Sequence, residues 1–220
     1  MPIRFPAAEA TRHPPLIGCD EVGRGALCGP VVVAAVYFDP CALPPALLEA
    51  LDDSKRLKRA QREAVAEALP AHARLAFAAS GAAAIDASDI RQATLAAMAR
   101  AVRRLGLAAP VAVDGRDIPP LLAGRCRAVV GGDALVPQIA AASILAKVLR
   151  DRLMARLHAR YPDYGWAGNV GYGTAAHLAA LGRCGPTRHH RHSFTPVGQA
   201  AFRSVSEPRL PDAMREPCEP

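Results

Sequence analysis

Two apolar runs open the patterned part of the chain. Leu16-Ile17-Gly18-Cys19 is short. Val31 through Phe38 is β-branched and bounded by Gly29-Pro30 and Asp39-Pro40. Both predict strands, and the glycines between them (Gly23, Gly25, Gly29) suit a hairpin-like connection. Polar and apolar residues then alternate at helical spacing from Arg56 to Leu69, and Arg74 to Ala78 predicts a third strand. The strongest helical signal follows, with Ile90, Leu95, Met98, Ala101 and Val102 on one face. Asp86 or Ser88 is placed to cap it, and Arg103-Arg104 before Gly106 to end it. Val111 to Asp114 and Arg127 to Val130 predict two further strands, each ending at glycine. Val136 to about Arg160 predicts a long Ala/Ile/Leu-rich helix, and Thr174 to Leu181 a shorter one. Strands in a run, then alternating with helices, predict an α/β architecture: a sheet of mixed direction flanked by helices. No internal repeat or domain linker interrupts it. Residues 1–14 and 205–220, rich in proline and charge, predict loose tails.

Composition narrows the class. At 220 residues the chain suits one domain of ordinary size, and 51% hydrophobic with 21% charged residues excludes wholesale disorder. No apolar run approaches the roughly 20 residues of a membrane helix, and the first residues lack a signal peptide's apolar stretch, so the expectation is a soluble, cytoplasmic protein with no membrane partner. Six scattered cysteines, without a C-x-x-C pair, predict free thiols rather than a zinc site or a disulfide frame. The formal charge of +7 favours a polyanionic partner, although the excess is almost all arginine, with lysine only at 55, 58 and 147.

The acidic residues carry the chemical signal. Asp20-Glu21 follows the first strand, Asp114 closes a later one, and Asp133 lies just past the last, before the long helix. Such ends converge on one edge of an α/β sheet. Carboxylates gathered there repel one another unless a cation neutralises them, and an oxygen-only set suits hard Mg²⁺ or Mn²⁺. Adjacent strand residues face opposite sides, so Asp20 and Glu21 can both reach such ions only if the chain bends, which Gly23 permits. Taken singly, Asp114 or Asp133 reads more readily as a turn residue or a helix cap, the commoner fate of Asp beside Gly.

Longer strings are more specific. Gly18-Cys19-Asp20-Glu21-Val22-Gly23-Arg24-Gly25 and Gly29-Pro30-Val31-Val32 resemble the opening signature of the type 2 ribonucleases H. Asp53-Ser54-Lys55-Arg56-Leu57, Val113-Asp114-Gly115, Gly132-Asp133, Ala141 to Val148, Tyr164-Gly165, Gly171-Tyr172-Gly173-Thr174 and His189 to Phe194 follow in family order. The resemblance covers residues 15–198, which it implies form one ribonuclease-H-like catalytic domain with a C-terminal helical segment. It implies a metal-dependent endonuclease that cuts the RNA strand of RNA/DNA hybrids and single ribonucleotides embedded in duplex DNA, leaving 5′-phosphate and 3′-hydroxyl ends. The implied catalytic and metal-binding acids are Asp20, Glu21, Asp114 and Asp133, holding two divalent ions, Mn²⁺ or Mg²⁺. Gly23, Arg24, Gly25 and Tyr172 match the elements that sense the ribose 2′-hydroxyl, and Lys55, Ser143 and Lys147 match positions near the substrate backbone. A monomer is the default.

This chain departs from the family pattern at Gly131, where lysine is usual, at Asn169-Val170, often His-Lys, at Arg116 and at Ala26. None of these is an implied metal ligand, and the two missing basic positions bear on substrate affinity. Two other readings remain at this stage. A non-catalytic nucleic-acid-binding module on the same fold predicts loss of one or more acids, yet all four are present. A two-metal nuclease or integrase acting on DNA is disfavoured by the Gly-Arg-Gly loop and Tyr172.

Overall fold

The computed structural model describes residues 5–206. Five strands, β1 (Leu16–Val22), β2 (Val31–Phe38), β3 (Arg74–Ser80), β4 (Val111–Asp114) and β5 (Cys126–Val129), form one sheet in the order β3-β2-β1-β4-β5. β1 pairs antiparallel with β2, and parallel with β4, which in turn pairs parallel with β5. The helices are α1 (Pro45–Glu49), α2 (Arg59–Ala68), α3 (Ala82–Asp86), α4 (Ile90–Leu105), α5 (Pro137–Arg160), α6 (Trp166–Asn169), α7 (Ala175–Cys184) and α8 (Thr195–Ser206). The expected mixed α/β sheet is therefore present.

The chain divides into two compact units. The first comprises Met1–Val22, Val32–Ala79 and Thr94–Leu149 and holds nearly all of the sheet. Its strands alternate between two apolar faces, as a period of two requires. Ala34, Val36 and Phe38 meet Ala140, Ala141, Ile144 and Leu145 of α5 on one side. Ile17, Cys19, Val33, Ala35, Val111 and Val113 meet Ala97, Met98, Ala101 and Val102 of α4 on the other. Gly18 sets how closely α5 can approach: a Cβ there would lie 2.2 Å from the Gln138 carbonyl carbon, so any larger residue displaces the helix. Phe5, within the stretch expected to be a loose tail, is buried with Phe38 and Leu48, because its ring can still add apolar area to that core.

The second unit comprises Gly23–Val31, Ser80–Ala93 and Arg150–Pro220. Leu27, Cys28, Met154, Tyr164, Trp166, Leu181 and Val197 form its main core, and Val31, Ile85 and Ala93 pack with Phe194. The segment after Gly25 is tied to the C-terminal part by a bridge between Cys28 and His190, with the Gly29 N–H donating to the His189 carbonyl at 2.9 Å.

Local chemistry shifts several expected boundaries. α2 starts at Arg59 because Gln61 turns back to accept from the Lys58 N–H at 2.8 Å, while Asp53 to Arg56 closes a separate turn. The cap of α4 is Asp89, which accepts from the Gln92 N–H at 2.7 Å, rather than Asp86 or Ser88. Asp86 instead accepts from the backbone N–H groups of His192 and Ser193 and from the Ser193 hydroxyl. Cys19, Cys28, Cys41 and Cys126 are free as expected, but Cys184 is disulfide-bonded, since spacing along a chain does not report distance in space. The 207–220 part of the expected C-terminal tail lies outside the described residues.

Candidate active site

The first unit carries the acids. β1 stays regular through both of its carboxylates, pairing Asp20 with Ala34, Glu21 with Val33 and Val22 with Val32. The bend anticipated at Asp20-Glu21 comes instead at Gly23, whose φ is +98°, because the antiparallel ladder holds the strand straight as far as Val22. Alternation therefore assigns Asp20 to the α5 side of the sheet and Glu21 to the α4 side. The parallel register of β1 and β4 pairs Cys19 with Val113, so one step further Asp20 and Asp114 are neighbours on the same face. Asp114 is anchored through Oδ1, which accepts from the Gly132 N–H at 2.7 Å, and this fixes the short helical turn that contains Asp133.

Asp20 is 6% exposed. Burial pushes its carboxyl well above the usual carboxylate range, the negative neighbours Glu21 and then Asp114 add to the shift, and the Ser143 hydroxyl and the Glu21 N–H pull against it. In kind, this donor set fits a hard divalent cation: oxygen only, negative and partly desolvated. In position it is looser than expected, for among the described residues no group of three or more His, Cys, Asp or Glu side chains is gathered to hold one ion. The β1 register explains part of this, since it sends Asp20 and Glu21 to opposite faces.

Ser143 and Lys147 lie one turn apart on α5 and so share a face. Ser143 is buried, donates to Asp20 and lies 2.9 Å from the Ser54 hydroxyl. Ser54 belongs to the turn that presents Lys55, whose own side chain is exposed. Asp53 accepts the Lys55 N–H at 2.9 Å, and Arg62 donates to the Ser54 carbonyl at 2.9 Å, so the turn has a defined shape.

The second unit carries the other candidates. Gly23 to Ala26 form a tight turn, with the Ala26 N–H donating to the Gly23 carbonyl at 3.3 Å and Arg24 and Gly25 exposed at its tip. Behind it is Arg191, fully buried. Its Nη2 donates to the carbonyls of Gly23 at 2.7 Å and Gly29 at 2.9 Å, its Nη1 to that of Arg24 at 2.7 Å, and its Nε to Gly29 at 3.1 Å. Burial, with the nearby Arg150 charge, pulls the Arg191 guanidinium down to about 10. Arg150, also buried, holds the carbonyls of Cys28, Pro30 and Val170, and its guanidinium carbon lies 5.6 Å from the centroid of the Tyr172 ring. A Cβ on Gly25 would lie 3.9 Å from that ring, so the turn and Tyr172 are neighbours.

Tyr172 is also fixed through its backbone. The Thr187 N–H donates to His190 Nδ1 at 2.9 Å, so the His190 proton sits on Nε2 and is given to His177 Nε2 at 3.1 Å. Trp166 donates to that same nitrogen at 3.1 Å, which leaves the His177 proton on Nδ1, directed at the Tyr172 carbonyl 2.9 Å away. Burial pushes His190 down to about 3 and also lowers His177, so both imidazoles are neutral. His190 is thus a structural residue.

A profile of the ribonuclease HII family matches residues 17–197. The chain belongs to the ribonuclease HII family. Ribonuclease HII of Paramagnetospirillum magneticum is 53% identical over 182 residues, covering 83% of this chain and 90% of its own. Among solved structures, a ribonuclease HII from Archaeoglobus fulgidus, described in complex with PCNA, superposes with a TM-score of 0.69 at 27% identity, over 81% of this chain and 94% of that one. A Bst ribonuclease HIII in complex with Mn²⁺ gives 0.70 at 21% identity, over 91% and 74%, a likeness of fold. The chain is accordingly a nuclease, a hydrolase acting on RNA in hybrids. Among the described residues no helix is long and apolar enough to cross a membrane.

Arg150, His177 and Arg191 escaped the sequence reading. The first of four arginines in the long helix and the Arg in His189-His190-Arg191-His192 were the available signals, and neither shows burial by itself.

Proposed function

We propose that this family member cleaves the RNA strand of hybrids and single ribonucleotides in duplex DNA by two-metal-ion hydrolysis, leaving 5′-phosphate and 3′-hydroxyl ends. The observation that carries it is Asp20: a buried carboxylate beside two others, with a donated hydroxyl from Ser143, is crowded negative charge that a bound cation would relieve. Asp20, Glu21, Asp114 and Asp133 are the proposed ligands of two divalent ions, Mg²⁺ or Mn²⁺. When bound, the ions supply an activated nucleophile and charge stabilisation at the leaving oxygen. Ser143 and the Gly132 N–H orient Asp20 and Asp114 respectively. Lys55 and Lys147 are proposed to attract the substrate phosphates.

Recognition of the sugar is assigned to the second unit. Arg24 and Gly25 present an exposed backbone turn, and Tyr172, 37% exposed, presents a ring and a hydroxyl. A 2′-hydroxyl both donates and accepts, so backbone groups of Gly23-Arg24-Gly25 and the tyrosine hydroxyl can bind it. A site built this way rejects the deoxy analogue by about 10⁴-fold or more, since its own polar groups are left unpaired.

The test is cleavage of matched duplexes carrying one ribonucleotide, four ribonucleotides or none, in EDTA and after adding Mg²⁺, Mn²⁺ or Ca²⁺. Activity on the first two substrates with Mg²⁺ or Mn²⁺, and inhibition by Ca²⁺ with its longer and looser coordination, are expected. Comparable cutting of the all-deoxy duplex would return the DNA-nuclease reading.

A further inference from the structure

Arg191 is an expensive residue to bury. A guanidinium removed from water loses several kcal/mol of hydration, and apolar side chains of similar volume are often at least as stabilising. It makes four hydrogen bonds, all to backbone carbonyls of one short segment: Gly23, Arg24 and Gly29. The planar fork reaches three carbonyls at once, which a lysine ammonium on its flexible stem cannot do with the same geometry.

The consequence lies on the opposite side of the same peptide units. Among the described residues every peptide bond is trans, and in a planar trans peptide the C=O and N–H point in opposite directions. With the carbonyls of Gly23 and Arg24 drawn inward, the N–H groups of Arg24 and Gly25 are aimed away from Arg191, at the exposed tip of the turn. Two successive N–H groups on one side form a small concave donor site for an oxygen.

We propose that Arg191 is a positioning residue for sugar recognition: from the interior it holds the Gly23-Arg24-Gly25 peptide planes so that two N–H donors face the ribose 2′-oxygen. The proposal rests on the reading of this turn as the 2′-hydroxyl sensor. Arg191 itself touches no substrate. Its own placement is supported by Asp86, which holds the backbone N–H groups of His192 and Ser193.

The experiment compares cleavage of two duplexes that differ at a single nucleotide, ribo against 2′-fluoro, which removes the hydroxyl proton and most of the acceptor strength. Wild type, Arg191→Lys, Asp86→Asn and Gly25→Ala are measured with Mn²⁺, below their melting temperatures. In Arg191→Lys the ribo-to-fluoro rate ratio should fall about tenfold, the equivalent of one well-placed hydrogen bond, while KM, set mainly by phosphate contacts, stays within about twofold. Asp86→Asn should shift the ratio in the same direction by less. Equal slowing of both substrates by a folded Arg191→Lys overturns the proposal, because a purely structural role would lower activity without touching sugar preference. If Arg191→Lys does not fold, Asp86→Asn decides: a lowered ratio supports the proposal and an unchanged one overturns it. Gly25→Ala separates the two layers. A wild-type ratio in that variant removes the sensor reading and the proposal together, whereas a changed ratio there with an unchanged one in Arg191→Lys removes only the role of Arg191.

Discussion

Ser54 and Ser143, 89 residues apart in sequence, place their hydroxyls 2.9 Å from each other in the interior of the first unit. Each hydroxyl has one proton. When Asp20 is ionised, as metal binding requires, Ser143 gives its proton to the carboxylate, the proton between the serines then belongs to Ser54, and the order of donation is Ser54 to Ser143 to Asp20. A turn that presents Lys55 on its surface thereby also steadies, from below, a carboxylate proposed to bind metal.

Removing the middle of this relay should matter more than removing its start. Ser143→Ala deletes a hydrogen bond to a charged group, worth about 1.5–3 kcal/mol, and should lower kcat/KM about tenfold while raising the Mn²⁺ concentration needed for half activity. Ser54→Ala leaves Ser143 able to donate and should cost only a few-fold. Titrating activity against Mn²⁺ for both variants checks this, and an Ser54→Ala loss larger than that of Ser143→Ala would break the assigned order.

The carboxylates predict a trade between activity and stability. Asp20→Asn, Glu21→Gln and Asp114→Asn should each lower cleavage by more than about a hundredfold, and Asp133→Asn by less, since water can partly replace a ligand outside the strands. In EDTA at pH 7, Asp20→Asn should melt higher than wild type. The folded carboxyl titrates above its unfolded value, so the ionised group opposes folding at any pH above the unfolded value, and the gap should close as both forms become neutral in acid. Thermal melting in EDTA and in Mn²⁺ checks this: Mn²⁺ should raise wild type and leave Asp20→Asn nearly unmoved.

Strand and helix identities were legible because β2 is an unbroken apolar run rich in valine, buried on both faces, and α4 repeats its apolar residues at helical spacing, the mark of burial on one face. The acids were legible because each lies in the last residues of a strand or just after one. Less visible was anything that depends on long-range hydrogen bonding. Asp86 looked like a helix cap because a local pattern was available, yet its partners are His192 and Ser193, more than a hundred residues on. Arg150 and Arg191 read as two more arginines in a chain with many, since a side chain's burial is fixed by the carbonyls around it and not by its neighbours in sequence.

The neutral histidine pair predicts acid sensitivity. His190 titrates near 3 in the folded protein against about 6.5 when unfolded. On acidification the unfolded chain takes the proton first, so the stability supplied by the neutral form is complete above about 6.5 and drains as pH falls toward 3, with a slope of up to about 1.4 kcal/mol per pH unit. His177, also lowered, acts in the same direction. Urea unfolding from pH 7.5 to 4.5 should show a shallower decline for His190→Gln than for wild type, and parallel curves would contradict the buried neutral pair.

Val170 is the described non-glycine residue with a positive φ, +44°, a conformation that a β-branched side chain adopts at a cost. Its carbonyl accepts from Arg150 at 2.8 Å, which helps to hold it there. Val170→Lys replaces the branched side chain and adds a charge at a position where this family often has lysine. Hybrid binding measured in Ca²⁺ between about 50 and 200 mM salt should tighten and steepen, with a slope increase of about 0.9 for one added phosphate contact. Gly131→Lys should gain less, because φ there is +65° and any side chain is strained, although nothing crowds its Cβ.

The sugar sensor gives the last prediction, and the structure separates two glycines that the sequence treats alike. Gly23 has φ +98°, and a Cβ on it would lie 2.1 Å from Arg150 Nε, so Gly23→Ala displaces a buried arginine and should lose stability and activity together. Gly25 has ordinary φ, and its Cβ would meet only the Tyr172 ring at 3.9 Å, so Gly25→Ala should fold normally. An added methyl at the exposed tip then holds the sugar away, and cleavage of a single-ribonucleotide duplex should fall at least about tenfold with melting temperature unchanged. At Tyr172 the ring and the hydroxyl can be parted: Tyr172→Phe keeps the surface over which Arg150 sits, while Tyr172→Ala removes both. Tyr172→Ala should therefore cost more than Tyr172→Phe, and both should cost more on one ribonucleotide than on four, where neighbouring sugars offer alternative registers. Full activity of Gly25→Ala and both Tyr172 variants on the single-ribonucleotide duplex would place the recognition of the 2′-hydroxyl elsewhere.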